Sequence, residues 1–256
     1  MSATTTPTKP ALTINDSAVL QALFDAESSP SSGVTIDTDL PQLPAHLNIS
    51  AKEHGFLQAR EKEIIQPLAS ASTPTSSPTP ETLQCAIDAL DDLIKNNPTY
   101  PSAYANRAQA LRMLVEHDPH SEEPGKTATY TSTLLSDLEK AITLTTPPSP
   151  ADAMSPYQAH LLADTHTHRA YLLLKFSREL KSNHNQGKGN GDYIPRNMID
   201  LGPDALEEMA SRDFFMGGRY GNKVAQQMAV QTNPYAKMCG AIVKEAMRKE
   251  VEGLIV

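Results

Sequence analysis

The most regular spacing of apolar residues in the chain lies in the segment 101–115. Tyr104, Ala108 and Leu111 are separated by four and then three positions, so they share one face of a helix. A large aromatic next to a small residue on the same face is typical of a helix that another helix crosses closely. The segment therefore predicts an amphipathic helix whose apolar face packs against neighbouring helices.

A second helix with a matching pattern is predicted immediately upstream, over residues 81–96. Its small and large apolar residues are Ala86, Leu90 and Leu93, again on one face. Pro98 then lacks a backbone amide and clashes with the preceding turn, which ends this helix. Two short amphipathic helices therefore follow one another around Pro98.

The pattern extends to three pairs of helices. The predicted pairs are about 46–66 with 81–96, 101–115 with about 130–145, and about 155–180 with 203–217. In the last two pairs the second helix has the same spacing of apolar and small residues, at Leu134, Leu138 and Ala141 and at Ala210, Phe214 and Gly217. A pair of this size buries its apolar face only against its neighbours, so stacking is expected. The predicted fold is all-α, a tetratricopeptide repeat solenoid of about three repeats with a concave groove.

Three segments interrupt the helical pattern, at 67–80, 116–129 and 181–202. They are rich in Pro, Ser, Thr, Gly and Asn, which favour turns over packed helices. Each falls between the two helices of one pair. Because the entropy of closing a loop grows only slowly with its length, we expect them to be disordered and dispensable insertions.

The ends of the chain are expected to cover the repeat domain, which is assigned to residues 45–250. Residues 15–44 are predicted to hold a docking helix and a linker, since Val19, Leu20, Leu23 and Phe24 form one apolar stripe. Two helical segments after the third pair are predicted to cap it, with apolar stripes formed by Val224, Met228, Met238, Ile242 and Met247. Residues 1–14 and 251–256 are expected to be tails.

Composition narrows the class of function. The formal charge of −8 and an isoelectric point near 5.5 disfavour general nucleic-acid binding, which needs a basic face. No apolar run approaches the roughly 20 residues that cross a bilayer, and the first residues lack a targeting pattern. A cytoplasmic protein is expected, with the nucleus as the alternative compartment. Cys85 and Cys239 both fall in helical patterns and are expected to be buried thiols.

Four segments together resemble one known family. They are NDSAVLQALFDAE at 15–27, YANRAQALRM at 104–113, SDLEKAITL at 136–144 and NPYAKMCGAIVKEAM at 233–247, and they resemble the tetratricopeptide repeat protein 36 family. The resemblance implies a small three-repeat adaptor without an active site or a cofactor. It also implies a partner among Hsp70-type chaperones or the enzymes of tyrosine catabolism. The three insertions depart from the family pattern.

The first helices of such repeats line the groove. Taking Gly55, Ala108 and Ala170 as the small residues at the crossings assigns ten side chains to a peptide-binding surface. They are Lys52, Phe56, Arg60, Asn106, Gln109, Arg112, Met113, His168, Tyr171 and Lys175. Cations outnumber acids in this set, which favours an acidic or carboxylate-ended peptide. The alternative is that these residues form ordinary solvated helix faces.

Chaperone-binding repeats hold a terminal carboxylate with lysines, asparagines and an arginine spread over three repeats. Lys52 and Asn106 match two of these places. Phe56, Asp164 and His168 stand where an asparagine, a lysine and an arginine are needed. We therefore expect a partial clamp that binds a carboxylate far more weakly than a complete one.

One alternative function is a small metal-binding helical enzyme. His160, Asp164 and His168 lie four positions apart on one predicted helical face, and imidazole and carboxylate groups at this spacing can hold a divalent metal. The glycines at 187–191 follow no predicted strand and lack the order of a phosphate-binding loop. Apart from this trio, no metal or cofactor is predicted.

Overall fold

The fold is that of a computed structural model, which describes residues 34–71, 77–117, 125–149, 152–186 and 192–233, with parts of 242–249. Secondary structure in these residues is almost entirely α-helical, which confirms the predicted all-α class for them. The α-helices with defined bounds are α1 (Ala51–Ala71), α2 (Pro80–Asn96), α3 (Pro101–His117), α4 (Lys126–Thr145), α5 (Pro156–Gln186), α6 (Arg196–Leu201), α7 (Pro203–Arg219) and α8 (Lys223–Thr232). The predicted helix at 15–27 and both predicted tails lie outside the described residues.

Each long helix packs mainly against the helices that neighbour it in sequence. α1 contacts α2, α3 contacts α2 and α4, and α5 contacts α4 and α7, while α8 packs on α7. The three predicted helix pairs are therefore present, as α1–α2, α3–α4 and α5–α7. No helix in the described part of the chain is both long enough and apolar enough to cross a membrane.

Small residues allow the close helix crossings. Ala108 on α3 and Ala170 on α5 are fully buried, as the spacing predicts. On α7, a Cβ added to Gly217 would lie 2.6 Å from the Thr167 hydroxyl and 3.1 Å from the Ala225 Cβ. Only a residue without a Cβ fits there, so Gly217 allows α5, α7 and α8 to pack closely against one another.

The second and third helix pairs each contain an ion pair of the same kind between an arginine and a buried aspartate. On α3, Arg107 donates from Nε to Asp137 of α4 at 2.8 Å; on α5, Arg169 donates from Nε to Asp213 of α7 at 2.7 Å. In both pairs a second guanidinium nitrogen binds the other carboxylate oxygen. Each arginine precedes its crossing alanine by one position. The two pairs are thus built on the same plan.

The segment before α1 is packed onto the middle of the molecule. Asp37 donates its amide to the Met154 carbonyl at 2.9 Å, and Met154 donates to Thr35 at 3.0 Å, which forms an isolated parallel bridge. Leu43 and Leu47 are buried, the latter at the end of a short 3-10 helix, Ala45–Leu47. The described part of the predicted linker is therefore packed against the rest of the chain, and we call residues 34–47 the strap. α1 begins at Ala51 rather than near 46.

The described part of the segment 181–202 is folded, so the predicted disordered insertion is wrong for it. α5 continues to Gln186, α6 follows, and Tyr193 and Ile194 between them are buried. The Tyr193 ring packs 5.9 Å from the Phe176 ring, and its hydroxyl donates to Glu179. Turn-forming residues surround these two apolar anchors, which is why the segment looks unpackable in sequence.

The other two insertions are shorter than predicted. α1 runs on to Ala71, with Leu68 buried, and α4 begins at Lys126. Pro67 lies within α1 without ending it. Cys85, expected to be a buried thiol, is exposed on α2, because it lies outside the apolar stripe of that helix; Cys239 lies outside the described residues.

Candidate functional site

The three predicted groove residues of the first pair lie on an exposed face of α1. Lys52, Phe56 and Arg60 are all exposed, and Arg60 pairs with Glu63 at 2.9 Å. A Cβ added to Gly55 would meet nothing within 4 Å, so no helix crosses α1 at this glycine. The register based on Gly55 is therefore wrong, because a small residue in the helical pattern does not by itself show that another helix lies next to it.

The buried stripe of α1 instead carries a glutamate, Glu61. Its carboxylate accepts hydrogen bonds from the Tyr100 hydroxyl at 2.8 Å, the Ser102 hydroxyl at 3.0 Å and the Asn106 amide at 2.8 Å. Burial raises the pKa of Glu61, and these three hydrogen bonds act in the opposite direction. The group links α1 to the start of α3.

This contact corrects the role predicted for Asn106. The side chain was expected to face solvent and bind a peptide, but it is partly buried and donates to Glu61. A carboxylate ligand would have to compete with a buried carboxylate for the same amide. The partial clamp predicted from Lys52 and Asn106 is therefore not formed.

An imidazole completes this buried cluster. The His54 ring contacts the rings of Tyr100 and Tyr157 edge-on, at 5.9 and 5.1 Å between centroids. Its Nε2 is buried and makes no hydrogen bond within the described structure. Burial lowers the pKa of His54, so the ring is neutral at pH 7. The one sequence signal of the cluster was a charged residue, Glu61, within the stripe of Leu57, Ile64 and Leu68.

The cations predicted on α3 and α5 both pair with one acid that lies outside the predicted set. Glu116 lies 3.0 Å from Arg112 and 3.6 Å from Lys175. Arg112 also donates to Gln109 at 3.3 Å, and Met113 is partly buried against the core. The predicted set thus forms a mixed, internally paired surface rather than a basic one.

The proposed metal ligands do not form a site. His160 and Asp164 pair at 3.1 Å on an exposed turn of α5, whereas the Nε2 of His168 is buried without a hydrogen-bond partner. No three His, Cys, Asp or Glu side chains in the described ranges are placed to hold a metal ion. Burial, aided by the positive charge of Arg112, lowers the pKa of His168 to about 4. His168 is therefore a neutral, partly buried ring whose Nε2 faces away from solvent rather than into a groove.

Two of the predicted residues, Tyr171 and Lys175, do lie in a cleft. It has a volume of about 730 Å³ and separates α5 from α8, with α7 as its floor. We call it the α5–α8 cleft. It is lined by Thr167, Tyr171, Leu174, Lys175, Arg178, Glu179, Ser182, Asn183, Phe214, Val224 and Met228.

The α5–α8 cleft combines an apolar floor with charged groups along α5. Leu174 and Phe214 are buried beneath it, while Tyr171 is 51% exposed and Val224 is 63% exposed. Lys175 and Arg178 stand on the same helix beside Glu179. Val224 and Met228 belong to the apolar stripe of a predicted capping segment, and here they form a wall of the cleft. Such a surface suits an apolar side chain flanked by acidic groups.

Comparison with known proteins identifies one close relative. The chain is 59% identical, over 256 residues and 97% of both chains, to the L-tyrosine degradation gene cluster protein hmgX of Aspergillus fumigatus. No family model matches the chain. No solved structure matches it either.

Proposed function

Because the chain belongs to the family of the L-tyrosine degradation gene cluster protein hmgX, we propose that it is a non-enzymatic adaptor for an enzyme of tyrosine catabolism. It binds this partner in the α5–α8 cleft and on the adjoining faces of α3 and α5. It works in the cytoplasm. The relative's link to a tyrosine degradation gene cluster supports the pathway, and the cleft supports binding.

The adaptor is proposed to be a tetratricopeptide repeat solenoid. Three helix pairs in succession, crossing alanines at Ala108 and Ala170, and the shared arginine–aspartate pair of the second and third pairs all support an internal repeat. The resemblance to the tetratricopeptide repeat protein 36 family supports the same architecture.

Contact with an Hsp70-type chaperone stays a prediction of that resemblance. The described contacts do not favour a carboxylate clamp as its mode, since the Asn106 amide already donates to Glu61 and His168 is neutral with a buried Nε2. A chaperone that binds this chain is expected to use another surface.

The observation that carries the proposal is the exposure of Tyr171 and Val224 over an apolar floor. Tyrosine is among the residues that contribute most to binding energy when a partner desolvates it. A cleft with two exposed apolar walls and cations beside it suits a protein segment that presents an apolar side chain next to a carboxylate.

Titration of the purified chain against each purified enzyme of tyrosine degradation tests this function. We expect one of them to bind, and Tyr171→Ala to weaken that binding by about 30-fold, as for a central interface aromatic. Val224→Lys should also weaken it. Val230→Lys is the matched control, because Val230 is exposed on the same helix but does not line the cleft. Absence of binding by every enzyme, or equal affinity of all variants, contradicts the proposal.

A further inference from the structure

The described residues leave the α5–α8 cleft uncovered. Its α5 side runs from Thr167 to Asn183 along one helical face, a distance of about 24 Å at 1.5 Å per residue. Tyr171 and Val224 add exposed apolar surface to both walls. Contiguous apolar surface of this kind usually marks a place where another element docks.

A segment of the same chain has the length and pattern to fill this cleft. The sequence of residues 15–27 predicts a helix with an apolar stripe of Val19, Leu20, Leu23 and Phe24, and a helix of this length would span about 20 Å. That length matches the α5 wall. So short a helix is unstable alone and needs an apolar surface to pack against.

Charge favours this segment over the C-terminal one. Residues 15–27 contain three acids and no Lys or Arg, and the cleft offers the exposed Arg178 and, beside it, Lys175, which also lies 3.6 Å from Glu116. Arg178 is exposed and makes no ion pair within the described structure. Residues 234–250 carry four Lys and Arg side chains against two glutamates, so they would meet these cations with like charge.

The tether is long enough to reach. The strap is fixed at Met154 by its two backbone hydrogen bonds. Thr167 lies thirteen residues further along the chain, or about 20 Å away along α5. The residues between Glu27 and Val34 span up to about 24 Å when extended. This length is sufficient for Glu27 to reach the near end of the cleft.

We infer that residues 15–27 occupy the α5–α8 cleft when no partner is bound, and that the partner displaces them. The second half of this inference rests on the proposed function. The first half concerns the free chain alone.

Tryptophan fluorescence of the full chain tests the docking. The chain has no Trp, so Phe24→Trp introduces a single reporter. We expect blue-shifted emission and weak quenching by acrylamide. Adding Val224→Lys should shift the emission to the red and raise quenching severalfold, as should Tyr171→Ala. The control Val230→Lys should leave both unchanged, with circular dichroism showing that every variant keeps its helices.

Two results overturn the docking: solvent-like emission of Phe24→Trp in the unaltered background, or an equal response to Val224→Lys and Val230→Lys. Because no partner is present, neither result bears on the proposed function. The displacement is tested in the partner titration, where Phe24→Asp should raise affinity severalfold. Unchanged or lower affinity of that variant overturns displacement.

Discussion

At the scale of single residues, a buried carboxylate decides how the first helix pair is joined to the second. Glu61 receives three hydrogen bonds from residues around the start of α3, although nothing in the local sequence links them to α1. Its neighbours Arg60 and Glu63 pair with each other at the surface. Glu61 is therefore a buried carboxylate and Glu63 an exposed one only two positions away. The effects of removing each carboxylate on stability can be compared directly.

Glu61→Ala should lower the free energy of unfolding by about 3 kcal/mol, because the Tyr100, Ser102 and Asn106 donors lose their common acceptor. Glu63→Ala should change it by less than about 1 kcal/mol, since only an exposed ion pair is lost. Urea unfolding followed by circular dichroism measures both. Equal costs for the two variants would contradict the assigned role of Glu61.

The lowered pKa of His168 predicts a pH dependence of stability. The group titrates at about 4 in the folded chain and near 6.5 when unfolded, so between these values the unfolded chain binds more protons. This contribution to stability is complete above pH 6.5 and is lost as pH falls towards 4. His168→Gln should therefore flatten the stability profile in that window by up to about 3 kcal/mol. Urea unfolding at a series of pH values, with the exposed His160→Gln as control, measures it; an unaltered profile in His168→Gln contradicts it.

Sequence reasoning succeeded where the signal is local in the chain. Ala108 and Ala170 were predicted at crossings and are fully buried. It failed at Gly55, since a small residue alone does not reveal whether a helix lies next to it. It also failed at Asn106, whose partner Glu61 is 45 positions away. Helical spacing predicts which face is buried, but hydrogen bonds between distant segments are set by the packing.

At the scale of elements, α5, α7 and α8 meet around Gly217, which has no room for a side chain. This contact adjoins the α5–α8 cleft, because Thr167 both lies against Gly217 and lines the cleft. We expect a change there to move Val224 and Met228, because Ala225 of the same helix lies against Gly217. The site therefore depends on a glycine that does not line it.

Gly217→Ala should lower the free energy of unfolding by about 2 kcal/mol, because a Cβ 2.6 Å from the Thr167 hydroxyl forces the helices apart. Gly55→Ala is the opposite case, an open helical position where alanine should raise stability by about 0.5–1 kcal/mol. Urea midpoints of the two variants test the pair. If alanine is tolerated at Gly217 as well as at Gly55, the close crossing is not a constraint on the fold.

The segment between α5 and α6 should be structural rather than dispensable. Tyr193→Ala should cost about 3 kcal/mol, because the ring is buried against Phe176 and lies under the Lys175 ammonium. The exposed Tyr171→Ala should cost about 1 kcal/mol or less. Thermal unfolding of the two variants separates them. Similar stability of both would mean that Tyr193 anchors nothing.

At the scale of the whole molecule, the chain carries a net negative charge, and one of its acidic side chains lies within the predicted groove. Glu116 pairs with both Arg112 and Lys175, so it offsets one of the two positive charges between α3 and α5. A partner is therefore selected less by charge than by the apolar walls of the cleft. The cation excess counted in the sequence did not include this acid, because it lies one turn beyond the assigned positions.

The docked strap has a consequence for the kinetics of folding. The helix row is made of contacts between neighbours in sequence, which form quickly, whereas the bridge from Ile36 to Met154 closes a loop of more than one hundred residues. Formation of the strap should thus follow the transition state. Leu47→Ala is expected to speed unfolding and leave the folding rate unchanged, whereas Leu90→Ala, within the first helix pair, should slow folding. Stopped-flow mixing with urea measures both rates. Slower folding of Leu47→Ala would place the strap in the folding nucleus, so that it would form before the helices are packed rather than after them.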